Sequence, residues 1–366
     1  MVLTPVTTDN RNGLSSNVHN VKEQVDSRAK PLPSTNRYPF LCFEDGNLAI
    51  LAEQSYFLVH RGVLHHHSTY LDQLVNALNH ESGDNLEGRP VLCLQESAKD
   101  IFLFLSALYD GLSAVKHWGN KFQTLSVLLL LSTKYQTIRL RLEVVNLLFK
   151  SWPLTLDQWD RKEVKISPAY DSFNPKDDFL HPIMIINLAR QASVPELLPS
   201  AFYDLSRQFP SSVAVGFTDA STSTHHRLSH DDLVRLLHGR ELASRFFSTF
   251  IVNELEGRRA SQWCYNASSE IPERKNNCQV AFENVTVELL RDVNGVVCNR
   301  TSDPLFAMVE GLNLQRNDSA PSPLFKNKFR ACDVCRIEFA VSVDAAREDF
   351  WRRLPEWFDV EISNWG

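Results

Sequence analysis

The sequence lacks any apolar run of the roughly 20 residues that a helix needs to cross a bilayer, and its longest candidate, Leu125–Leu131, is predicted to be a buried helix. It also lacks a basic surplus, because 38 Lys and Arg residues against 44 Asp and Glu residues give a formal net charge of -6. Nucleic-acid binding is therefore not expected. The segment Met1–Asn20 shows no apolar stretch behind basic residues and so no secretory signal. These absences predict an intracellular protein of the cytoplasm or nucleus, with neither nucleic acid nor a membrane as its partner.

The motifs that mark common enzyme classes are absent as well. The sequence contains no nucleophile elbow, no phosphate-binding loop, no HExxH motif and no dinucleotide fingerprint. The run His65-His66-His67 does not replace them, because consecutive residues of a helix point in different directions and cannot converge on one ion. We therefore expect a non-enzymatic protein and interpret these histidines as solvated surface.

Cysteine is the residue type whose pattern suggests a site. Seven cysteines, an odd number, favour reduced thiols or a metal site over a disulfide framework. Cys332 and Cys335 have the C-x-x-C spacing of half a zinc site, and Cys264 and Cys278 can supply the other two thiolates of a tetrahedral, structural site. The alternative is that all four are ordinary thiols. A dithiol redox role would need a βαβ context, which the surrounding sequence does not show. No cofactor other than this structural zinc is expected.

The length of 366 residues, 43% of them hydrophobic, predicts two or three globular modules. Residues 1–36 are polar and aperiodic and are predicted to be a disordered tail. Residues 37–150 are predicted to form an α+β domain, and residues 151–228 a helical extension with linkers. Residues 229–366 are predicted to be a mixed, mainly helical region that carries the cysteine cluster.

Within residues 37–150, short strands come first and helices follow. Apolar runs at 48–52 and 56–59 predict a hairpin after the turn Asp45-Gly46-Asn47, and a third strand is predicted around Val91–Cys93. Helices are predicted by their apolar spacing and by capping residues at 61–67, 70–78, 98–109, 122–132 and 137–150. The pattern indicates a small three-stranded sheet capped by helices.

The remainder of the chain is predicted to be mostly α-helical. Ser229 is predicted to cap a long helix that continues through Leu255, whereas segment 152–177, rich in Trp, Pro and Asp, is predicted to be a connector. The last helix is predicted at Val343–Leu354, with Pro355 as its end. A set of apolar side chains near the C-terminus is expected to pack against the protein's own core: Phe350, Trp351, Leu354, Trp357 and Phe358.

The segment from Asp45 to Ser68 resembles the BTB/POZ family. The family pattern is an Asp-Gly pair, two strands of which the second ends in His-Arg or His-Lys, and a short helix that leads to a serine. The residues here that match this structural motif are Asp45, Gly46, Val59, His60, Arg61, Leu64 and Ser68. The resemblance covers residues 38–150. The whole chain is also similar to a large group of mushroom-type fungal BTB proteins of undefined role, through segments 129–135, 185–190, 198–203 and 350–355.

This resemblance implies a protein–protein interaction module that associates with itself or with a partner protein. Many dimeric members have an additional helix before the first strand, which residues 1–36 do not predict. One alternative function is that of a substrate adaptor for a cullin-type ubiquitin ligase, although Thr69–Leu78 offers no glutamate for the expected Φ-x-E motif. Another is a metal-assisted enzyme in the C-terminal half, which would need a metal with an open coordination position.

Overall fold

A computed structural model describes residues 35–78, 85–115, 121–170, 180–220, 222–291, 302–313 and 330–366. The fold is mixed α+β, with a small sheet near the N-terminus followed by helices, as the sequence predicts. Most of the predicted tail, residues 1–34, lies outside the described residues. The first strand begins at Asn36.

The N-terminal sheet has five strands where the sequence predicted three. They are β1 (Asn36–Cys42), β2 (Leu48–Ala52), β3 (Ser55–Val59), β4 (Asn85–Leu86) and β5 (Arg89–Leu94), in the spatial order β1-β3-β2-β5-β4. The β2–β3 hairpin is antiparallel and β5 pairs in parallel with β2. The central strands β2 and β3 are almost wholly buried because both of their faces are covered.

The two strands that sequence reasoning missed are the edge strands. The first, β1, contains Pro39 and is largely exposed, and Leu41 has a positive φ of 57°. It pairs in parallel with β3, with a register irregularity between Arg37 and Cys42. The other edge strand, β4, has only two residues. Neither shows the apolar alternation that identifies a strand, and proline is tolerated at an edge because its missing N–H faces away from the ladder.

Helices cover the sheet and extend from it. In chain order they are α1 (Arg61–His67), α2 (Thr69–Asn76), α3 (Ala98–Asp110), α4 (Leu112–Val115), α5 (Lys121–Lys134) and α6 (Ile138–Phe149). The most buried of them is α3, whose start is fixed by Ser97: its hydroxyl accepts a hydrogen bond from the backbone N–H of Asp100 at 3.1 Å. Gly111, with a φ of 75°, ends it.

The C-terminal region is built from helices of very different lengths. They are α7 (Leu156–Tyr170), α8 (Pro182–Gln191), α9 (Leu198–Ser206), α10 (Pro210–Val215), α11 (His230–Phe250), α12 (Pro272–Lys275), α13 (Asn277–Arg291), α14 (Pro304–Asn313) and α15 (Asp333–Trp357). A 3-10 turn, Pro195–Leu197, precedes α9 and a π-turn, Ile251–Leu255, follows α11. Two short strands, β6 (Phe217–Thr218) and β7 (His225–His226), form a small hairpin within residues 151–228, which were predicted to be a helical extension with linkers.

Two predictions for this region are wrong, one of a connector and one of the bounds of a helix. The predicted connector 152–177 contains the 15-residue helix α7, with Trp159 buried on it. The last helix does not begin at Val343 or end at Pro355. It runs for 25 residues, from Asp333 to Trp357, with Pro355 inside its last turn. The interior proline is tolerated because α15 continues for only two residues beyond it and buried packing holds that turn in place.

The end of α15 packs closely against α11. The side chains predicted to face the protein's own core do so, since Phe350 and Phe358 are fully buried and Trp351 is 1% exposed. Phe358 stacks on Phe202 of α9 with the ring centroids 5.3 Å apart. Gly239 of α11 lies directly beneath Phe358, and a Cβ there would come within 2.2 Å of the ring. Only glycine lets α11 approach this aromatic layer so closely.

The described residues form a large hydrophobic core and a second, smaller one made of Ala49, Leu51, Tyr56, Leu58 and Val91. Buried residues from β2, such as Leu48, belong to the same contiguous cluster as residues of α9 and α15, such as Phe202 and Phe350. Buried residues of the N-terminal sheet and of the C-terminal helices therefore belong to the same cluster of contacts. Among the described residues, no helix has both the length and the apolar character that spanning a membrane requires.

Candidate metal centre

Four cysteines from three separate segments meet at the N-terminus of α15. Cys264 lies in the irregular loop after the π-turn, Cys278 is in the first turn of α13, Cys332 directly precedes α15, and Cys335 is in its first turn. Their four sulfur atoms lie within 4.8 Å of one another. The Sγ atoms of Cys264 and Cys278 are 3.5 Å apart, and those of Cys332 and Cys264 are 3.7 Å apart. The cluster could hold a metal ion.

All four thiols are reduced. A disulfide requires sulfur atoms at about 2.05 Å, well below the 3.5 Å that separates Cys264 from Cys278. Cys264, Cys278 and Cys335 are buried, with at most 2% of each residue exposed, and Cys332 is half-buried. The cluster is therefore nearly closed to solvent, with Cys332 at its open side.

Backbone and amide N–H groups point at the sulfur atoms. The backbone N–H of Cys332 donates to the Cys278 sulfur at 3.2 Å, and the Asn266 side-chain amide donates to the same sulfur at 3.2 Å. The backbone N–H of Ser261 donates to the Cys335 sulfur at 3.3 Å. Such donors stabilise negative charge on sulfur and orient it, as the hydrogen bonds around a thiolate–metal site do.

The environment shifts the thiol pKa values in opposite directions. Burial raises the pKa of Cys278 and of Cys335. Burial also acts to raise the pKa of Cys332, but hydrogen bonds from the backbone N–H groups of Cys335 and Tyr265 and from neighbouring thiols outweigh it and lower that pKa to about 7. Cys332 sits at the N-terminus of a 25-residue helix, where the macrodipole also favours a thiolate.

Aromatic packing fixes the segments that carry the cysteines. Phe282 of α13 and Phe339 of α15 meet edge-to-face with their centroids 5.3 Å apart. The Arg258 guanidinium lies over both rings, 5.3 Å and 5.1 Å from their centroids. The Ser261 hydroxyl donates to the Glu338 carboxylate at 2.6 Å, which ties the cysteine loop to α15. These contacts, together with the burial of Cys264, Cys278 and Cys335 in the hydrophobic core, hold the four sulfur atoms close to one another.

The residues of the sheet-to-helix motif lie at one corner of the N-terminal sheet. Val59 and Leu64 are fully buried. Gly46 is packed so tightly that a Cβ would come within 2.9 Å of the Leu58 carbonyl carbon. Its carbonyl accepts a hydrogen bond from Arg89 at 2.5 Å. Gly46 therefore permits the close approach of the Asp45 turn to strand β3.

His60 and Asp45 form a polar chain with Tyr109. The His60 Nε2 atom lies 3.2 Å from the Asp45 carboxylate, and its Nδ1 atom lies 3.0 Å from the Tyr109 hydroxyl. The same hydroxyl accepts from the backbone N–H of His60 at 2.8 Å. The Asp45 side chain at one end of this polar chain is 84% exposed. The polar chain ties the start of α1 to the end of α3.

Arg61 and Ser68 secure the two ends of α1. The backbone N–H of Arg61 donates to the Asn47 side chain at 2.8 Å, and its guanidinium contacts the Asn76 side chain. Ser68 is 3% exposed. Its hydroxyl accepts from the backbone N–H of Leu71 at 3.0 Å and donates to the Tyr135 carbonyl at 2.5 Å. Ser68 is therefore both the N-cap of α2 and a link to the end of α5.

The histidine run is not part of a metal cluster in the described residues. The rings of His66 and His67 meet edge-to-face with their centroids 5.2 Å apart. His65 pairs with the Asp72 carboxylate at 3.2 Å. Over the ranges that the structure describes, the four-cysteine cluster is the one group of potential ligands close enough to hold an ion.

Sequence reasoning missed a buried network of charges between α7, α9 and the start of α14. Its members are Lys162, Glu163, Asp204, Arg207 and Asp303. Arg207 Nη1 lies 3.0 Å from Glu163 and 2.8 Å from Asp303, and the guanidinium also pairs with Asp204. Lys162 Nζ lies 2.9 Å from Asp204. The side chains of Arg207 and Asp303 are only 10% and 3% exposed.

The network shifts the pKa values of Asp204 and Arg207 strongly. Burial acts to raise the pKa of Asp204, but Lys162 and Arg207 outweigh it, so that pKa is held well below its usual range. Burial acts to lower the pKa of Arg207, but the carboxylates of Asp204, Asp303 and Glu163 outweigh it and raise that pKa. In the sequence, the one signal for this network was the pair of charged residues Lys162 and Glu163 close to Trp159, in a segment where no helix was predicted. Trp159 is buried in the structure.

Comparison with known proteins does not assign the chain to a family. A scan against protein-family models gives no match, and a search of curated proteins gives no significant one.

Proposed function

We propose that this chain is a non-enzymatic protein-interaction module, in which a BTB/POZ-type unit is joined to a helical region that a structural zinc ion stabilises. The observation that carries the zinc part is the closed cluster of four sulfurs. The interaction part rests on the motif between Asp45 and Ser68 and on the strand arrangement around it.

The sulfur geometry fits zinc. A tetrahedral Zn–S site with bonds of about 2.3 Å places its sulfur atoms about 3.8 Å apart. Two of the sulfur–sulfur distances here are 3.5 Å and 3.7 Å, and the rest do not exceed 4.8 Å. Small side-chain rotations would complete the tetrahedron. Soft thiolate ligands select Zn²⁺ over the hard cations Mg²⁺ and Ca²⁺.

A zinc ion held by these four ligands would be structural. Cys264, Cys278, Cys332 and Cys335 would fill all four positions of the tetrahedron. No position would remain for a substrate or an activated water. The arrangement therefore does not support the alternative of a metal-assisted enzyme. The ion would link the loop after α11 to α13 and to α15, three segments separated by long stretches of chain.

Metal content and spectroscopy test the zinc proposal. Purified full-length protein should contain one zinc per chain, and the cobalt-substituted protein should show the absorption of a tetrahedral tetrathiolate site. Cys278→Ala should abolish both signals, whereas Cys93→Ser, which changes an exposed thiol on β5, should leave both intact. A wild-type chain that takes up no zinc or cobalt while remaining folded would refute the proposal.

The arrangement around the hairpin supports the interaction part of the proposal. An antiparallel β2–β3 hairpin leads through His60 into the helix pair α1 and α2, and β5 returns to pair in parallel with β2 before the buried helix α3. This is the order of elements that the family resemblance implies. Such a unit acts by presenting a surface to another chain.

Solution mass tests association directly. Light scattering of the full chain across a range of concentrations should give a mass approaching twice the 41.8 kDa of one chain. A constant mass of one chain at all concentrations would contradict self-association and restrict the proposal to a different partner protein. No specific observation favours a cullin adaptor, because α2 (Thr69–Asn76) contains no glutamate.

A further inference from the structure

The four cysteines of the proposed zinc site differ sharply in access to solvent. Cys278 is 0% exposed, and Cys264 and Cys335 are each 2% exposed. Cys332 alone is half-buried, at the point where the chain enters α15. A small, uncharged oxidant arriving from solvent would therefore meet the Cys332 sulfur first. Oxidation of cysteine depends on exposure as well as on thiolate character, and exposure distinguishes Cys332 from the other three cysteines.

A second sulfur lies ready to react with the first. The Cys264 sulfur is 3.7 Å from that of Cys332. Cys264 lies on a loop without helix or strand, whereas Cys335 is held inside a helical turn. The loop can close the remaining distance to a disulfide by a small shift, because it need not break helical hydrogen bonds.

We propose that the cluster is a peroxide-responsive switch, in which oxidation of Cys332 to a disulfide with Cys264 releases the metal. This inference rests on the proposed zinc site. It concerns the regulation of that site. It is not a dithiol oxidoreductase activity, which would need the βαβ context that the sequence does not show.

The reaction balances with hydrogen peroxide as the oxidant. The Cys332 thiolate attacks the O–O bond, one oxygen leaves as hydroxide, and the other remains on sulfur as a sulfenic acid. The Cys264 thiolate then attacks that sulfur, forms the S–S bond and expels the second oxygen as hydroxide. Two thiolates are thereby oxidised by two electrons, the peroxide is reduced, and two protons from solvent turn the hydroxides into water.

Loss of the metal would break the link between the cysteine loop and Cys278 of α13, whereas the Cys264–Cys332 disulfide would keep the loop attached to the start of α15. Trp263 and Tyr265, on either side of Cys264, are 70% and 68% exposed. The metal would hold these two aromatic side chains in fixed positions, because Cys264 between them is a ligand. Formation of the disulfide would move Cys264 towards Cys332 and so change the surface that Trp263 and Tyr265 present.

A peroxide titration of the zinc-loaded full chain tests the switch. Zinc release is followed with a chromogenic chelator, and disulfides are mapped by mass spectrometry. We expect one zinc released per chain together with a Cys264–Cys332 disulfide, and recovery of zinc binding after reduction. Cys93→Ser removes an exposed thiol outside the cluster and should not change the rate.

The matched variant is Cys332→His, which keeps a zinc ligand but removes the reactive sulfur. We expect it to bind zinc and to release it at least about tenfold more slowly under peroxide, because the remaining sulfurs are buried. Equal rates in Cys332→His and wild type, or release with a disulfide that excludes Cys332, would overturn the switch while leaving the zinc site intact. If Cys332→His does not bind zinc, sulfenic-acid trapping in the wild type decides, and modification of another cysteine before Cys332 overturns it. A chain without zinc would instead refute the proposed site itself.

Discussion

Replacing Arg207 with methionine is expected to be among the most destabilising single changes in this protein. Its guanidinium is 10% exposed and pairs with three carboxylates, those of Glu163, Asp204 and Asp303. It also lies over the Trp159 ring, 4.9 Å from the centroid. Removing one partner of a buried ionic pair costs about 3–5 kcal/mol, because the remaining charge is left buried and uncompensated.

The local charge balance places the expected loss of stability in Arg207→Met at the upper end of that range of free energies. Two cations, Lys162 and Arg207, face three carboxylates, and Arg207 is the cation that pairs with each of the three. A matched control is Arg161→Met on α7. Arg161 pairs with Asp157 at 2.7 Å, but both side chains are about 70% exposed, and such surface pairs contribute about 0.5 kcal/mol. Urea unfolding of both variants, monitored by circular dichroism, gives the change in the free energy of unfolding for each.

The pH dependence separates the electrostatic cost from lost packing. The pKa of Asp204 is lowered in the folded protein. Its contribution to stability is therefore present above its unfolded pKa of about 3.9 and is lost as the pH falls below that value. In Arg207→Met the Asp204 carboxylate loses one of the two cations that lower its pKa, and it protonates more readily. The cost of the substitution should then shrink as the pH is lowered from about 7 to about 4. A cost that equals that of Arg161→Met, or that stays constant with pH, would refute the reasoning.

Three further predictions concern the cluster and the packing. Cys278→Ala, or treatment with a strong zinc chelator, should lower the melting temperature of the zinc-bound chain, measured by calorimetry; an unchanged transition would mean that no metal stabilises the fold. Gly239→Ala should destabilise by about 1–3 kcal/mol in denaturant unfolding, because its methyl group would come within 2.2 Å of the Phe358 ring. Adding Phe358→Leu should recover part of that loss, and a purely additive double variant would contradict the contact. Ser68→Ala should cost about 1–2 kcal/mol, since it removes the cap of α2 and leaves the buried Tyr135 carbonyl without its donor; a cost near zero would exclude that role.

Several elements could be predicted because their signals are local. Ser97 and Ser229 cap α3 and α11 as expected, each accepting a hydrogen bond from the backbone N–H three residues later. The strands β2, β3 and β5 follow from short apolar runs bounded by turn residues. Each signal lies within a few residues of the structure that it determines, so no knowledge of distant contacts is needed.

Other elements could not be predicted, because their stability comes from distant partners. Strand β1 contains Pro39 and is defined by pairing with β3, and the Tyr38 ring packs against Phe57 with the ring centroids 4.7 Å apart. Helix α7 carries Trp159, which packs against Trp351 almost two hundred residues further along the chain. The composition of 152–177 resembles a connector because the apolar residues that α7 buries are few but large.

The sequence by itself determined the class of the fold, the cysteines that were candidates for a metal site, and the absence of enzyme motifs. It did so because composition, residue period and spacing act locally. Only the tertiary structure decided that Cys264 and Cys278 meet Cys332 and Cys335, and that Arg207 is buried among three carboxylates. Both arrangements depend on helices that pack side by side though far apart in the chain, and burial in that packing is what makes the sulfurs and the charges interact strongly.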